Sequence, residues 1–519
     1  MRIPDSLIGK LYNYGSLKNI ADGVAFSLKN RLSGALLVGI SSLMIGKKSI
    51  PMERVSLILK DKKLSPVEIS DRNPLPFEMG EQMEIKAKTD PIEEKGSCPI
   101  SVMISTDPFG ELNITVEDNI GTGEEPLSSV PYDKDDNYSD GIIRMRKDYL
   151  KRSCEISPEH LFRYSIEPET TKGNIENFVG VSQVPVGLAG PVKVRGEHAQ
   201  GDFLIPMSTT EGTLVASYNR GMKVINLSGG ARVTITRDRM GRAPVFITNS
   251  ATEARELDKW LGDHMEDMKM VARTTSSHCE LEEVERYQAG RNLYTRFCYS
   301  TGDAAGQNMV GKATMAICQW MGENGPEIED FYLESNFATD KKHSNVNTLM
   351  TRGKRVTAEV EIPDKVLKKV LRTTPERMHA HHPVPNLGAS MSGVANNGLH
   401  SANAIAAMFI ACGQDVGNVA ESSAGILDSQ ITDEGNLYLS MTIPSLIVGT
   451  VGGGTGLPTQ KECLSILECY GSGKSRKFAE IVTAVALAGE ISLAGAISSM
   501  EWVSSHEEYG RNRDVNEDP

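Results

Sequence analysis

Short runs that alternate apolar and polar residues dominate the first part of the chain. They recur at Arg54–Lys60, Gln82–Lys88, Pro99–Ser105 and Leu112–Glu117, separated by Pro, Gly, Asn and Asp. A period of two predicts strands buried on one face. Residues 1–118 are therefore expected to form a β-rich domain, a small sheet or sandwich preceded by one or two helices. No chemistry is visible in it. Residues 119–140 are acidic and poor in apolar side chains, which predicts a flexible linker.

From residue 141 the apolar period lengthens. Helices are expected at Gly141–Cys154 and Pro158–Tyr164, then loops punctuated by Pro and Gly through Pro191. A buried strand, Phe203–Ile205, runs toward the helical pattern Leu214–Arg220. Next come a strand at Pro244–Thr248, an amphipathic helix at Thr252–Val271 and strands at Glu280–Gln288 and Asn292–Tyr299. A helix at Gln307–Met321 and a strand at Glu327–Glu334 complete the order βαββαβ, the ferredoxin-like signature. Residues 243–334 thus read as an insert in a larger domain built from 141–242 and 335–511, with 512–519 as a tail. That domain carries helices at Gly398–Cys412 and from Ser475 to about Ser505, and an apolar strand at Leu437–Ile447. The expected fold class is α+β.

Composition narrows the classes of function. Lys and Arg number 55 against 68 Asp and Glu, a formal charge of −13 with no long basic run, which argues against a nucleic-acid partner. Eight scattered cysteines without a C-x-x-C pair read as free thiols, not a disulfide frame or zinc site. The uncharged stretch Leu32–Gly46 is too short to span a bilayer, and no signal-peptide pattern opens the chain. A cytoplasmic protein without membrane association is expected.

Several constellations could carry chemistry. Thr209-Thr210-Glu211-Gly212-Thr213 places a carboxylate between a strand and a helix, where a proton-transfer group can sit near neutral pKa; an ordinary capping arrangement fits the same residues. Asp340-Lys341-Lys342 offers a lysine beside a carboxylate, able to steady an oxyanion or to be a surface cluster. His400 and Asn403 share a helix face, and Asp415 follows an apolar helix and a glycine. Gly302–Asn308 and Gly449–Gly456 are glycine loops outside the Rossmann spacing. Gly471–Ser475 imitates a P-loop ending but lacks its first glycine, and reads as a helix entry. His379, His381 and His382 have no accompanying acidic or thiol ligand set, so no metal is expected. His506 closes the last helix, where a histidine is either a surface residue or a mobile acid.

Six ordered segments resemble the 3-hydroxy-3-methylglutaryl-coenzyme A reductase family. They are Glu176–Gly180, Pro185–Pro191, Pro206–Gly221, Asp340–Lys342, Gly413–Asp415 and Gly449–Thr455. The resemblance covers residues 141–511 and leaves 1–140 outside. It implies two successive hydride transfers that take a thioester through a hemithioacetal and an aldehyde to mevalonate, releasing coenzyme A. Lys341 would steady the oxyanion, Glu211 would supply a proton, Asp415 would lie hydrogen-bonded between them, and His506 would protonate the departing thiolate. Arg242, Asp340, Lys342, His400 and Asn403 would hold the hydroxymethylglutaryl end, with Ser217, Asn219 and Arg220 near coenzyme A. The insert would bind the nicotinamide cofactor through Asp303, Ala305, Gly306, Gln307 and Asn308, facing Val451, Gly452, Gly453, Gly454 and Thr455. A homodimer or dimer of dimers with active sites between subunits is also implied.

The chain departs from the family pattern in the segment Lys341–Asn347, where the usual Pro-Ala-Ala after the lysines is absent, behind His506, where the Asn-Arg-Ser of animal enzymes is missing, and in two further loops. Asp303-Ala-Ala-Gly-Gln-Asn308 replaces the usual Asp-Ala-Met-Gly-Met-Asn, and Thr274–Glu280 lacks the arginines that many members offer to a 2′-phosphate. NADPH is the expected cofactor, with Arg296 or Arg511 supplying the missing cation. The alternatives are an NADH-linked form that oxidises mevalonate and a non-catalytic relative acting as a binding module.

Overall fold

Strand Ser97–Asp107 buries every second side chain and pairs antiparallel with Gly110–Asn119 on one side and Ala35–Ile45 on the other. The computed structural model describes residues 8–31, 34–60, 62–92, 97–119, 130–154, 156–394 and 396–499. Two five-stranded sheets make up the N-terminal part. One is ordered 18–20, 23–29, 82–87, 55–59, 62–64, and the other 110–119, 97–107, 35–45, 48–49, with 75–77 also on 35–45. Phe26, Leu57 and Ile85 of the first meet Leu43, Val102 and Ile114 of the second in one apolar cluster, as in a β-sandwich. Before the first strand the described residues hold helical Ile8 and the 3-10 segment Gly9–Leu11; the helices expected there otherwise fall on residues 1–7, outside the described residues.

The end of the expected linker is held down. Arg146, on helix Asp140–Cys154, is buried and donates from Nε to the Pro131 carbonyl at 2.8 Å and from Nη1 to the Asn137 carbonyl at 2.8 Å. A guanidinium satisfied by backbone carbonyls fixes the segment that supplies them. Pro158–Tyr164, expected to be helical, forms bends and turns instead.

The rest of the chain is α+β around a ten-stranded sheet. Strand Ala231–Arg242 joins its two halves. Its first residues pair with 353–362 and 186–196, while Met240–Arg242 pair with Phe297–Tyr299 of the insert. The insert keeps the expected βαββαβ order: strands 245–247, 280–289, 292–300 and 330–332, and helices on either side of the central hairpin. Its long helix is broken in two, Ala251–Asp263 and Met265–Thr275, at His264, whose ring stacks on Trp260 with centroids 4.2 Å apart.

Helix Ser475–Ser499 is the axis of the larger domain, buried along almost its whole length among the helices Leu214–Leu227 and Ser401–Ala411 and the sheet. Close approach explains two glycines. A Cβ at Gly221 would lie 1.8 Å from the Ala488 carbonyl oxygen, and one at Gly489 would strike the Tyr218 ring at 2.3 Å. Among the described residues, only this helix is long and apolar enough to cross a membrane, and 83% of its apolar window is buried inside the protein.

Candidate active site

Lys341 stands on a turn with φ +60°, a left-handed conformation that disfavours residues bearing a Cβ. The support lies beneath it. The Lys341 N–H donates to Glu421 Oε1 at 3.2 Å, and Arg352 Nη1 donates to the same oxygen at 2.6 Å. Arg352 Nη2 also lies 2.9 Å from Asp340 Oδ1, an ion pair without hydrogen-bond alignment. Asp340 therefore faces the protein interior. Burial pushes the Glu421 carboxyl up to about 7, with Arg352 pulling the other way. Neither Arg352 nor Glu421 was singled out from the sequence; the only signal is a lone acid in the small-residue run Val419–Ala424.

Above this layer Lys341 Nζ lies 2.8 Å from Asp415 Oδ2, and both side chains are about half exposed. The hydrogen bond to Asp415 raises the lysine pKa, so the ammonium stays charged. Asp415 is itself fixed by the Gly417 N–H, at 2.9 Å from Oδ1. A side chain at Gly417 would meet Lys341 Cδ at 2.9 Å, so a glycine is needed for the lysine to pass.

Glu211 belongs to a second group. Its N–H donates to Thr209 Oγ1 at 3.0 Å, and the Thr213 cap makes no side-chain bond, so the pentapeptide is a tight turn rather than a helix cap. Glu211 is exposed in the single chain, not set beside apolar core. Asn403 Nδ2 donates to Glu211 Oε1 at 3.3 Å and lies 3.1 Å from His400 Nδ1. The other His400 nitrogen lies 3.3 Å from Ser217 Oγ. Burial, reinforced by Arg220, lowers the His400 pKa to about 4, so the imidazole is neutral. Buried Glu490, on the 475–499 helix, caps this loop by accepting the N–H groups of Leu399, His400 and Ser401.

Ser217 and Arg220 both reach Ser492, at 3.0 Å from Oγ to Oγ and 3.0 Å from Nε. Asn219 points elsewhere: its Oδ1 accepts the Gly190 N–H at 2.7 Å and pins the bend in strand Val186–Gly196.

The two groups lie off opposite ends of one helix. Asn403, with Glu211, sits at the start of Ser401–Ala411, and Asp415, with Lys341, follows its end. Eight residues of rise separate Asn403 from Ala411 by ~12 Å. Among the described residues no hydrogen bond within one chain joins Glu211 to Asp415 or Lys341. The arrangement with Asp415 bonded between both partners is thus not made inside a single chain.

Arg242 closes the strand that links the two halves of the sheet, and its Nη1 donates to Glu334 Oε2 at 2.7 Å. Lys342 Nζ donates to Asn336 Oδ1 at 2.9 Å.

The family described as hydroxymethylglutaryl-coenzyme A reductase matches residues 142–511, and the N-terminal domain of hydroxymethylglutaryl-CoA reductase matches residues 7–121. The 3-hydroxy-3-methylglutaryl-coenzyme A reductase of Methanocaldococcus jannaschii is 42% identical over 389 residues, covering 73% of this chain and 96% of that protein. The chain belongs to the hydroxymethylglutaryl-coenzyme A reductase family. The Pyrococcus abyssi reductase is 41% identical over 77% of this chain and all of its own length. Reductase 3 of Solanum tuberosum is 36% identical over 86% of this chain and 78% of that protein. Among solved structures, the class II reductase of Streptococcus pneumoniae bound to NADPH matches 68% of this chain and 96% of its own with a TM-score of 0.53. At 18% identity, it is a likeness of fold. The N-terminal match extends the family resemblance to residues where the sequence motifs offered none.

In this reductase-family chain the two glycine loops are stitched together. The Asp303 carbonyl accepts the Thr450 N–H at 2.8 Å, and a Cβ at Gly449 would lie 2.6 Å from the Ala305 nitrogen. Gly306, at φ +82°, opens helix Gln307–Asn324. A Cβ at Gly302, Gly452 or Gly453 would meet nothing within 4 Å, so this cradle has room for an anionic ligand at a helix start. The Asp303 carboxylate is engaged elsewhere. It accepts the N–H groups of Gly473, Lys474 and Ser475 and so caps the 475–499 helix. Burial raises its pKa, but those donors outweigh it and the net shift is downward. The Gly471–Ser475 loop is indeed a helix entry.

Arg296 corrects the expectation for the cofactor. Its side chain is 1% exposed, with Nη2 donating to Asn347 Oδ1 at 2.7 Å and Nε 3.6 Å from Glu285. A guanidinium enclosed behind the sheet cannot meet a 2′-phosphate. His506 and Arg511 lie outside the described residues.

Proposed function

We propose that the chain reduces (S)-3-hydroxy-3-methylglutaryl-CoA to mevalonate and free coenzyme A, consuming two NADPH and two protons. The observation that carries this reading is the Lys341–Asp415 pair, an ammonium kept charged by Asp415 on a strained turn braced from beneath by Glu421, Arg352 and Asp340. Such a fixed cation stabilises negative charge developing on a carbonyl oxygen. When bound, NADPH would supply the hydride chemistry of the reaction. Gly302, Gly306 and the Gly452–Gly454 segment would hold it, together with the start of the 307–324 helix. The NADPH-bound fold neighbour supports that assignment.

Each protein group has a distinct part. Lys341 steadies the oxyanion and Asp415 keeps the ammonium aimed. Glu211, oriented by Asn403, passes a proton to the aldehyde oxygen, and His506 protonates the leaving thiolate. Arg242 and Lys342 meet the terminal carboxylate of the substrate. Arg220 and Ser217 lie toward coenzyme A. Because the Glu211 and Lys341 groups flank opposite ends of one helix, we assign the complete site to two chains. One supplies Glu211 and the other supplies Lys341 and Asp415, in a cytoplasmic homodimer or dimer of dimers.

A spectrophotometric assay tests the reaction. Purified protein with 3-hydroxy-3-methylglutaryl-CoA should oxidise two NADPH per mevalonate formed, faster than it oxidises NADH. No substrate-dependent oxidation with either cofactor would remove the reading. Faster NADH turnover would move the chain to the degradative class.

A further inference from the structure

Arg242, one of the two cations assigned to the substrate carboxylate, is already neutralised by the chain itself. Its Nη1 holds Glu334 Oε2 at 2.7 Å, its Nη2 leans on the Gln307 carbonyl at 3.4 Å, and its buried Nε has no hydrogen-bond partner among the described residues. The other Glu334 oxygen, Oε1, accepts the Asn336 N–H at 2.7 Å. Asn336 in turn takes the hydrogen bond from Lys342. One side-chain carboxylate therefore sits on the first cation and is tethered to the second. Glu334 is 46% exposed while Arg242 is 16% exposed. The acid has solvent to move into; the guanidinium does not.

We propose that Glu334 is a built-in competitor for the substrate's terminal carboxylate, occupying Arg242 in the free enzyme and displaced as the hydroxymethylglutaryl group arrives. This rests on the function proposed above. A guanidinium favours one bidentate carboxylate, and two carboxylates crowded on one cation repel each other. Glu334 holds Nη1 alone, so a substrate carboxylate that grips Arg242 through two donors exchanges with Glu334 at that nitrogen, and part of its binding free energy is spent on the exchange. A ligand without a terminal carboxylate leaves the Arg242–Glu334 pair closed and gains nothing from Arg242. Glu334 thus acts as a specificity-determining residue that sets a threshold for anionic acyl groups.

Calorimetric titration with free 3-hydroxy-3-methylglutarate tests the exchange directly. Glu334→Gln should tighten its dissociation constant by about tenfold. The KM for 3-hydroxy-3-methylglutaryl-CoA should fall by a similar factor, with a smaller change in kcat. Glu334→Asp, one methylene shorter, should tighten binding by a smaller factor. In an Arg242→Ala background Glu334→Gln should produce no gain. Unchanged or weaker binding in both folded single variants would show that Glu334 merely positions Arg242, and the proposal would fall. If wild-type protein fails the reductase assay while Glu334→Gln still tightens the dicarboxylate, the reaction assignment fails and the exchange stands.

Discussion

Arg352 and Glu421 face each other with no solvent at either side chain and 2.6 Å between Nη1 and Oε1. Removing one member of such a pair strands the other charge, at a cost of about 3–5 kcal/mol. Glu421→Ala should therefore lose that much in urea unfolding, and its Lys341 turn should loosen. The pH dependence has a definite sign. With its folded pKa raised to about 7, Glu421 keeps a proton that the unfolded chain releases near 4.5. Stability should fall as pH rises through that window and level off above 7. Glu421→Gln should remove this component; an unaltered pH profile would assign the titration to another group.

Mixing two inactive variants tests the shared site. If Glu211 and Lys341 come from different chains, a Glu211→Gln/Lys341→Ala hybrid dimer contains one intact site and one doubly altered site. Random re-association should recover about a quarter of wild-type activity. No recovery after verified subunit exchange would confine the site to one chain.

Lys341→Ala should slow both hydride transfers by about 10²–10³-fold through loss of the charge that meets the oxyanion. The half-exposed side chain adds little to stability, so melting should shift by no more than a few degrees. Full activity would remove Lys341 from the chemistry.

His506→Gln should slow thioester reduction, since thiolate departure needs an acid, yet spare reduction of mevaldehyde, from which nothing departs. Equal losses in the two assays would contradict the leaving-group role.

His400 gives a second pH signature, opposite in sign to that of Glu421. Its folded pKa of about 4 lies below the ordinary 6.5, so the unfolded chain binds a proton that the folded chain refuses. Stability should be complete above 6.5 and decline as pH falls toward 4, by at most about 1.4 kcal/mol per unit. His400→Gln should flatten that decline in denaturation curves followed at pH 4.5, 5.5 and 6.5.

Periodicity is local, so the insert's βαββαβ order and the sandwich strands near 54–60, 82–88, 99–105 and 112–117 were legible, whereas strands 23–29, 35–45, 231–242 and 353–362 were not anticipated and 186–191, read as loop, lies in a strand. The short motifs likewise singled out Lys341 and Asp415, which the structure pairs, and Glu211, which it places beside Asn403. What escaped depends on distant partners. The Arg352–Glu421 layer joins residues 69 positions apart, and no local pattern announces a buried ion pair. Arg296 reads from sequence as a cation open to a 2′-phosphate, and only the packed sheet shows that its guanidinium is enclosed. Asp303 sits in a loop suited to cofactor binding, yet its carboxylate is spent on a helix that begins 172 residues later. The break at His264 was missed because apolar spacing continues through it.

The placement of the 475–499 helix dictates how the polypeptide matures. Its side chains complete an apolar cluster whose other members begin at Ala189, whereas the N-terminal sandwich closes its own cluster by Val116. During synthesis the sandwich can collapse early, since domains tend to fold as units in the order they emerge. The larger body must wait, its central rod missing, until residues 475–499 have emerged. Nascent chains halted before Ser475 would carry one complete apolar cluster and a second one left open.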